Sequence, residues 1–329
     1  EILSGLVGSE MCIRDRSISL YQGALGNTQA GANVRIVAPY VLLSGRTNLS
    51  PAIIQDVNAT LNAWTPSALP AAASLQVEAH HIDVRNRVNA GMSGVVQLGA
   101  GTQMAIERRG YDSLSLRSQG DVRFLQANVG SEMPIGGQTE SSGLLSAGDV
   151  RLAGQRIYPA TNAKGLVIAG WRGTGKPYDD SRAIRIEGMA GSLAATAPLS
   201  AFGSLTLNAP NVEQGGTLYA PLGRIGMGIA TDGVNRQVRL LPGSLTSVSA
   251  AGLTIPYGGT IDGLSYLYQG AAVQSVGVGG MDAFRLVRGI SLLGGAVAVE
   301  PGAVIDLSGG GTLAGAGFVS GRGAVSYTH

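Results

Sequence analysis

Asp179, Asp180 and Arg182 are the residues whose types and spacing make the strongest candidate for a catalytic site in this chain. Two carboxylates beside a cation can cleave a polysaccharide, and hydrolysis needs the carboxylates roughly 5 to 10 Å apart. Adjacent residues of a strand point to opposite faces, so Asp179 and Asp180 can converge only from a loop. The competing interpretation is a solvated turn, in which such residues are common, and we favour the turn.

A glycine-rich stretch just before this group matches part of a phosphate-binding loop. Gly170–Lys176 fits the first seven positions of the pattern G-x-x-x-x-G-K-[ST]. The next residue should be Ser or Thr, to hold Mg²⁺, but it is Pro177. The residues that follow do not have the pattern of the helix that such a loop requires. We therefore interpret the stretch as an exposed loop and not as a nucleotide site.

Histidines and clustered charges offer little for metal chemistry. His80 and His81 are adjacent, but the third histidine of the chain is the terminal His329, and a metal site needs further ligands. We predict a corner pair that faces solvent. Glu107–Arg109 and Asp112 predict a charged solvent face.

Aromatic residues and a glycine-rich stretch are weaker candidates for ligand sites. Aromatic side chains can stack on sugars, but packing of loops against the body of the protein is the more common role. The aromatic residues concerned are Trp171, Tyr219, Tyr257, Tyr266 and Tyr268. Gly309–Gly317 lacks the recurring Asp of Ca²⁺-binding nonapeptide repeats. We predict no catalytic, cofactor-binding or metal-ligating residue, and no enzyme.

A repeated eight-residue pattern indicates the elements that would position these residues. The pattern is [Val/Leu]-x-apolar-x-[Ala/Gly]-x-x-[Val/Ile], preceded by a small polar residue. Its four copies are Val34–Val41, Leu75–Ile82, Val150–Ile157 and Leu205–Val212. Three apolar or small positions at period two form one face of a short strand, and the three-residue step that follows predicts a corner. Corners repeated along a chain are typical of a β-solenoid.

Short strands bounded by turn residues account for most of the rest of the chain, and no stretch predicts a convincing helix. The predicted strands are Val34–Leu43, Leu75–Val84, Val95–Leu98, Leu114–Leu116, Val122–Leu125, Leu166–Ile168, Ile184–Ile186, Val238–Leu241, Val297–Val299 and Val304–Leu307. Leu61–Ala73 predicts a short helix or a loop, while Thr139–Ser146 and Trp171–Ser181 predict loops that leave the solenoid. At about 20 to 25 residues a coil, about 12 to 15 coils are expected, in a rod about 60 to 70 Å long.

Composition agrees with a thin aliphatic core. The chain of 329 residues has 51 glycines, 13% charged and 5% aromatic residues, and a net charge of +2. The basic residues are scattered, which argues against a nucleic-acid partner. No stretch reaches the roughly 18 apolar residues of a membrane span.

The two ends resemble translated sequencing-adaptor artefacts. The strings concerned are Glu1–Arg16 and Val325–His329. We expect a natural segment over residues 17–324, a single β-solenoid segment of a larger protein. The only cysteine, Cys12, would then lie outside the natural segment.

Three runs are similar to coils of the filamentous haemagglutinin family. They are Gly203–Val212, Gly216–Ile225 and Val299–Gly311. Membership would imply a right-handed parallel β-helix with inserted loops, forming a rod segment of a large bacterial adhesin. The resemblance also implies export through an outer-membrane β-barrel transporter of two-partner secretion. The protein would be secreted or lie on the outer cell surface of a Gram-negative bacterium, and attach to glycans or proteins of host or bacterial surfaces.

Two alternatives remain open. One is a β-helical polysaccharide lyase or hydrolase with Asp179, Asp180 and Arg182 in its site, since such enzymes use clustered carboxylates with a basic residue and often Ca²⁺. The other is the passenger of an autotransporter, whose coils would look the same.

Overall fold

A computed structural model describes the chain over fourteen ranges. They are residues 12–14, 17–20, 31–45, 73–90, 94–97, 103–106, 111–127, 141–171, 178–189, 200–229, 236–261, 265–268, 271–272 and 288–318. The described residues form β-strands, turns and irregular segments, with no helix.

The strands are short and follow one another closely along the chain. The first ten are β1 (Cys12–Arg14), β2 (Ser17–Leu20), β3 (Asn33–Val37), β4 (Tyr40–Ser44), β5 (Ser74–Ala79), β6 (His81–Arg85), β7 (Arg87–Asn89), β8 (Gly94–Gln97), β9 (Gln103–Ile106) and β10 (Ser113–Ser118). The next ten are β11 (Asp121–Phe124), β12 (Ser142–Leu145), β13 (Asp149–Gly154), β14 (Arg156–Pro159), β15 (Lys164–Ile168), β16 (Ala183–Gly188), β17 (Ser204–Asn208), β18 (Asn211–Gly215), β19 (Thr217–Tyr219) and β20 (Arg224–Gly228). The last nine are β21 (Gln237–Leu240), β22 (Leu245–Ser247), β23 (Thr254–Ile261), β24 (Ser265–Tyr268), β25 (Ala271–Ala272), β26 (Gly289–Leu293), β27 (Ala296–Val299), β28 (Val304–Asp306) and β29 (Thr312–Phe318).

Three parallel sheets make up the body of the fold. Sheet 1 has the strand order β1-β3-β5-β10-β13-β16-β18-β21-β27, sheet 2 the order β2-β4-β6-β11-β14-β19-β22-β28, and sheet 3 the order β7-β12-β15-β17-β20-β26. From β10 to β15, and again from β18 to β22, the chain visits sheets 1, 2 and 3 in turn and then returns to sheet 1, one strand further along. This arrangement is consistent with a β-helix or β-solenoid, so the prediction of an all-β fold with parallel sheets is confirmed.

The predicted coil length of about 20 to 25 residues was wrong for most coils. Stacked partners in sheet 1 are between 23 residues apart, as for Ile13 and Ile36, and 59 residues apart, as for Val238 and Val297. Sheet 1 contains nine described strands, and at about 4.8 Å a strand they span about 38 Å. The coils are longer than expected because insertions between the strands lengthen them.

The repeat pattern corresponds to two different corners of the coil. The first three copies each join a strand of sheet 1 to a strand of sheet 2, and the apolar positions of the first two copies stack in register, as for Val34 on Leu75 and Val41 on Ile82. The fourth copy joins sheet 3 to sheet 1 instead, because Leu205 lies in β17 and Val212 in β18. The same sequence motif therefore forms two corners, from sheet 1 to sheet 2 and from sheet 3 to sheet 1.

An aliphatic core lies between the sheets, as the alternation predicted. The inward side chains of stacked strands form columns that are almost wholly buried. Examples are Ile36, Val77, Leu116, Leu152 and Ile186, each no more than 1% exposed. A small polar residue stands just before these columns, and the Ser74 hydroxyl donates to Asn33 Oδ1 of the preceding coil at 2.6 Å.

One coil has no strand of sheet 2 among its described residues. Sheets 1 and 3 include β16 and β17, whereas in sheet 2 the strand β14 pairs directly with β19. That pairing rests on a single registered pair, Ile157 with Leu218. Sheet 2 thus has eight described strands, one fewer than the nine of sheet 1.

The predicted loops are partly wrong. Within Thr139–Ser146, residues 142–145 form β12, a buried strand between β7 and β15. Its sequence, Ser-Gly-Leu-Leu, does not alternate between polar and apolar residues, because both faces of the strand are buried. The strand was therefore not predicted. Of Leu61–Ala73, residues 61–72 lie outside the described residues and Ala73 is buried.

Short antiparallel pairs lie outside the three main sheets. The predicted strand at Val95–Leu98 belongs to a hairpin, in which β8 pairs with β9. A fourth sheet has the order β25-β24-β23-β29, with β23 and β29 parallel. The insertions thus carry some strands of their own.

Candidate functional site

Arg182 is the centre of the predicted catalytic group, and it is surrounded by carboxylates. Its Nη2 lies 2.8 Å from Asp112 Oδ1, its Nη1 lies 3.4 Å from Asp149 Oδ2, and its Nε lies 3.7 Å from Asp179 Oδ2. These residues come from three consecutive coils, since Arg182 just precedes β16 and Asp149 opens β13. Asp112 is therefore not simply part of a solvent face, as its neighbours in the sequence suggested.

Asp180 belongs to a different ion pair. Its Oδ1 accepts a hydrogen bond from Arg236 Nε at 3.0 Å, and its side chain is half exposed. Asn211 Nδ2 donates to the backbone carbonyl oxygens of Asp180 and Arg182 at 2.8 and 3.1 Å. The two adjacent aspartates thus face different cations and do not converge on one point.

The hydrogen bonds of this corner are those of a structural connection. Asp179 Oδ1 accepts from the backbone N–H and the hydroxyl of Ser181 at 3.1 and 2.7 Å, as in an Asx turn. Asp149 Oδ1 accepts from the backbone N–H of Ala183 at 2.8 Å in the next coil. In the described part of the chain, no three His, Cys, Asp or Glu side chains converge as metal ligands.

A second polar cluster lies on the outer face of sheet 2, around Asp83. Tyr40 donates from its hydroxyl to Asp83 Oδ2 at 2.9 Å, and His81 Nε2 lies 3.0 Å from Asp83 Oδ1. Arg123 donates from Nε and Nη2 to the two carboxylate oxygens at 2.9 and 2.8 Å. The rings of Tyr40 and His81 stack with centroids 6.2 Å apart. Three residues of three coils thus enclose a carboxylate that is only 3% exposed.

Burial and hydrogen bonding shift the pKa values in this cluster. Burial alone would raise the pKa of Asp83, but the hydrogen bonds from His81 and Arg123 outweigh it and hold that pKa at about 2. Burial raises the pKa of the Tyr40 hydroxyl to about 12, and its hydrogen bond to Asp83 adds to the rise. Asp83 is therefore a carboxylate and Tyr40 a neutral phenol near neutral pH, so Tyr40 is poorly suited to act as a base.

A third cluster continues along the same face. Arg156 donates from Nε and Nη2 to Asp121 at 2.9 and 2.8 Å, and the Tyr158 hydroxyl donates to the same carboxylate at 3.1 Å. The guanidinium of Arg156 also lies over the Tyr158 ring, 5.9 Å from its centroid. Burial raises the pKa of Tyr158, and the charge of Asp121 adds to the rise. Each charge of this cluster is neutralised locally.

Ion pairs between coils also cross the outer face of sheet 1. They join Arg35 to Glu78, Arg151 to Glu187, Arg185 to Glu213, Arg239 to Glu213 and Arg239 to Glu300. Opposite charges on neighbouring strands stabilise a sheet by modest amounts. These charges connect successive coils and do not converge on a pocket.

The other sequence candidates have ordinary structural environments where they are described. Trp171 is buried against Leu145, Leu166, Ile168 and Tyr178, so the expected packing of a loop aromatic is confirmed for it. Tyr219 is partly buried in β19. Of the phosphate-loop match, residues 172–176 lie outside the described residues. Residues 107–109 lie outside them too, and so do the side chains of Tyr257, Tyr266 and Tyr268.

The prediction of a solvent-facing histidine pair is half right. His80 is exposed at the corner between β5 and β6. His81 instead packs on Tyr40 and bonds to Asp83. This cluster was not predicted, because Tyr40 and Arg123 lie 43 and 40 residues from Asp83 in the sequence. The available signal was that Tyr40 and His81 each start the second strand of a repeat copy.

Within the described ranges there is no helix of the length and apolarity needed to cross a membrane. No protein-family model matches the chain, and no curated protein or solved structure matches it either.

Proposed function

We propose that this chain is a structural segment of a right-handed parallel β-helix rod, in a large bacterial adhesin of the filamentous haemagglutinin type. The adhesin is secreted or held on the outer surface of a Gram-negative bacterium after export through an outer-membrane β-barrel transporter. The inward aliphatic columns hold the rod together. Outward side chains and inserted loops attach to glycans or proteins of host or bacterial surfaces.

The β-helix is supported by the order of the strands. Consecutive strands of sheet 1 are parallel, and each connection between them passes through at least one of the other two sheets. Such crossover connections between parallel strands are right-handed in nearly all proteins, because a right-twisted strand returns to its sheet only in that way. This general rule supports a right-handed rod.

The observation that carries the proposal is that the charged groups of the polar clusters pair with one another between neighbouring coils. Asp83 and Asp121 each face an arginine of a neighbouring coil, and Arg182 faces carboxylates of two earlier coils. These contacts tie one coil to the next along the stack. A catalytic site would instead hold charged groups toward a shared space where a substrate could lie.

The experiment compares attachment with catalysis. The purified chain is expected to bind host cells or a glycan array saturably and to release no sugar ends from a panel of polysaccharides. Release of unsaturated or reducing sugar ends that is abolished by Asp180→Ala would overturn the proposal in favour of a lyase or hydrolase. Glu187→Gln is a matched control, since it alters a surface carboxylate in an ion pair on sheet 1, away from Arg182.

A further inference from the structure

Arg236 is a buried arginine with an N–H group that meets no acceptor. Its side chain is 9% exposed, and its Nε donates to Asp180 Oδ1 at 3.0 Å. Its Nη1 is buried and has no hydrogen-bond partner among the described residues. A buried donor without an acceptor is unfavourable, so a group of this kind in a folded protein calls for an explanation. An acceptor supplied by a ligand would remove this cost.

Asp180 brings a free acceptor to the same place. Arg236 directly precedes β21 and reaches past β18 to Asp180, which lies before β16, two strands earlier in sheet 1. The Asp180 side chain is 52% exposed, and its Oδ2 has no hydrogen bond to any described residue. Asn211 Nδ2 holds the backbone of Asp180 by donating to its carbonyl oxygen at 2.8 Å. A carboxylate oxygen and a guanidinium N–H thus lie side by side, both available to a ligand.

An aromatic ring stands beside this pair. Tyr178 is partly exposed and packs against the buried apolar cluster around Trp171. Burial raises the pKa of the Tyr178 hydroxyl and the charge of Arg236 opposes the rise, which places the ring near the guanidinium. A tyrosine at such a position offers a sugar an apolar face to pack on and a polar tip to bond.

The charges of the surroundings disfavour an anionic ligand. The neighbouring cluster around Arg182 holds three carboxylates and one guanidinium. The pair of Asp180 and Arg236 adds one of each. Four carboxylates against two guanidiniums make the local field negative, and such a field repels sialic acids, uronic acids and sulfates. Because Nη1 is buried, a single hydroxyl also reaches it more readily than a bulky anionic group does.

We propose that Asp180, Arg236 and Tyr178 form a binding site for a neutral sugar of a surface glycan. Asp180 Oδ2 accepts from a sugar hydroxyl, a sugar oxygen accepts from Arg236 Nη1, and the sugar ring lies against Tyr178. A few fixed polar groups beside an aromatic surface are the usual composition of a small-ligand site. This inference rests on the proposed function, because attachment to glycans is one of the two forms of attachment proposed there.

Binding of the full chain to a glycan array tests this. The array carries neutral oligosaccharides of hexoses and N-acetylhexosamines beside their sialylated and sulfated counterparts. We expect saturable binding to a neutral oligosaccharide, and binding about tenfold weaker to its charged counterparts. A preference for the charged counterparts would overturn the inference. Attachment to host cells without binding to any glycan would overturn it too but leave the adhesin proposal standing, whereas attachment to neither would overturn both.

Two variants locate the site. Asp180→Asn keeps the shape of a half-exposed side chain and removes the charged acceptor, while Arg236→Lys keeps a positive charge but removes the Nη1 donor. Each should weaken binding to the neutral oligosaccharide by about tenfold, with an unchanged strand signal in circular dichroism. Glu187→Gln is the matched control, since it alters a carboxylate of a surface ion pair on sheet 1, and it should bind as the unaltered chain does. Unchanged binding by Asp180→Asn would place the glycan elsewhere and overturn the inference.

Discussion

The side-chain amide of Gln214 donates to the hydroxyl of Thr246 at 3.2 Å inside the apolar interior of the stack. Both residues are 0% exposed. Gln214 also accepts from the backbone N–H of Gly216 at 3.0 Å, and donates to the carbonyl oxygens of Gly216 and Leu245. It thereby connects sheet 1 of one coil to sheet 2 of the next, at a position where the following coil has the apolar Leu240.

Replacing Gln214 should destabilise the fold although the position lies in an apolar column. Gln214→Met keeps the shape of the side chain but leaves the buried N–H of Gly216 without its acceptor. The expected loss is about 1 to 3 kcal/mol in the free energy of unfolding, measured by urea titration. Gln76→Met is the matched control, because Gln76 lies exposed in β5, and it should change stability by less than about 0.5 kcal/mol. Equal effects of the two variants would contradict a structural role for the buried amide.

The Asp83 cluster should make stability depend on pH in the acid range. The pKa of Asp83 is lowered from 3.8 to about 2 in the fold. A lowered carboxyl pKa stabilises the folded state above the unfolded pKa, and this contribution is lost as pH falls through the folded value. About 2 kcal/mol should therefore be lost between pH of about 4 and about 2. Urea midpoints measured across that range test the prediction.

Asp83→Asn separates this contribution from general acid unfolding. The variant should lose about 2 to 3 kcal/mol at neutral pH, because Arg123 keeps its charge without a carboxylate partner. It should lose less further stability on acidification than the unaltered chain does. A variant with the same acid dependence as the unaltered chain would show that Asp83 is not responsible.

Arg182 should matter more for stability than an arginine in a surface pair. Arg182→Met leaves Asp112, Asp149 and Asp179 close together without a cation. The expected loss is about 2 kcal/mol, and added salt should reduce it by screening the repulsion. Arg151→Met is the control, since Arg151 is half exposed and pairs with one glutamate, and it should cost less than about 1 kcal/mol. A loss no larger than that of the control would mean that the cluster is not structural.

Close approach of the coils should make Gly143 irreplaceable. A Cβ at Gly143 would overlap the carbonyl oxygen of Leu166 in the neighbouring strand. Gly143→Ala should therefore cost about 3 kcal/mol, because two paired strands would have to separate. At Gly289, also in sheet 3, a Cβ would have nothing within 4 Å, so Gly289→Ala should be neutral or slightly stabilising. Thermal unfolding of the two variants compares them directly.

The strands and the core were predictable because period-two alternation survives in most of them. Val34, Leu75 and Val150 each start an alternating run, and the structure stacks these runs in register. The coil of β10 and β11 does not match the repeat pattern because its corner is one residue longer, from Ser118 to Val122. The strand β12 was not predicted because the adjacent Leu144 and Leu145 are both buried, so polar and apolar residues do not alternate there.

The polar clusters could be predicted only in part. The contacts within the turn at Asp179 and Ser181 are local, and a turn was expected there. The contact of Arg182 with Asp112 joins residues 70 apart in the sequence. Insertions of different lengths set the number of residues between coils, so the sequence alone does not fix which distant side chains meet.

The measurement that tests the central claim most directly is the sequence of the complete gene and its neighbours. The adhesin proposal predicts a far longer reading frame in which these coils continue, with a secretion domain at its start and a gene for an outer-membrane transporter beside it. A reading frame that starts near Glu1 and stops near His329, with no transporter gene nearby, would contradict it.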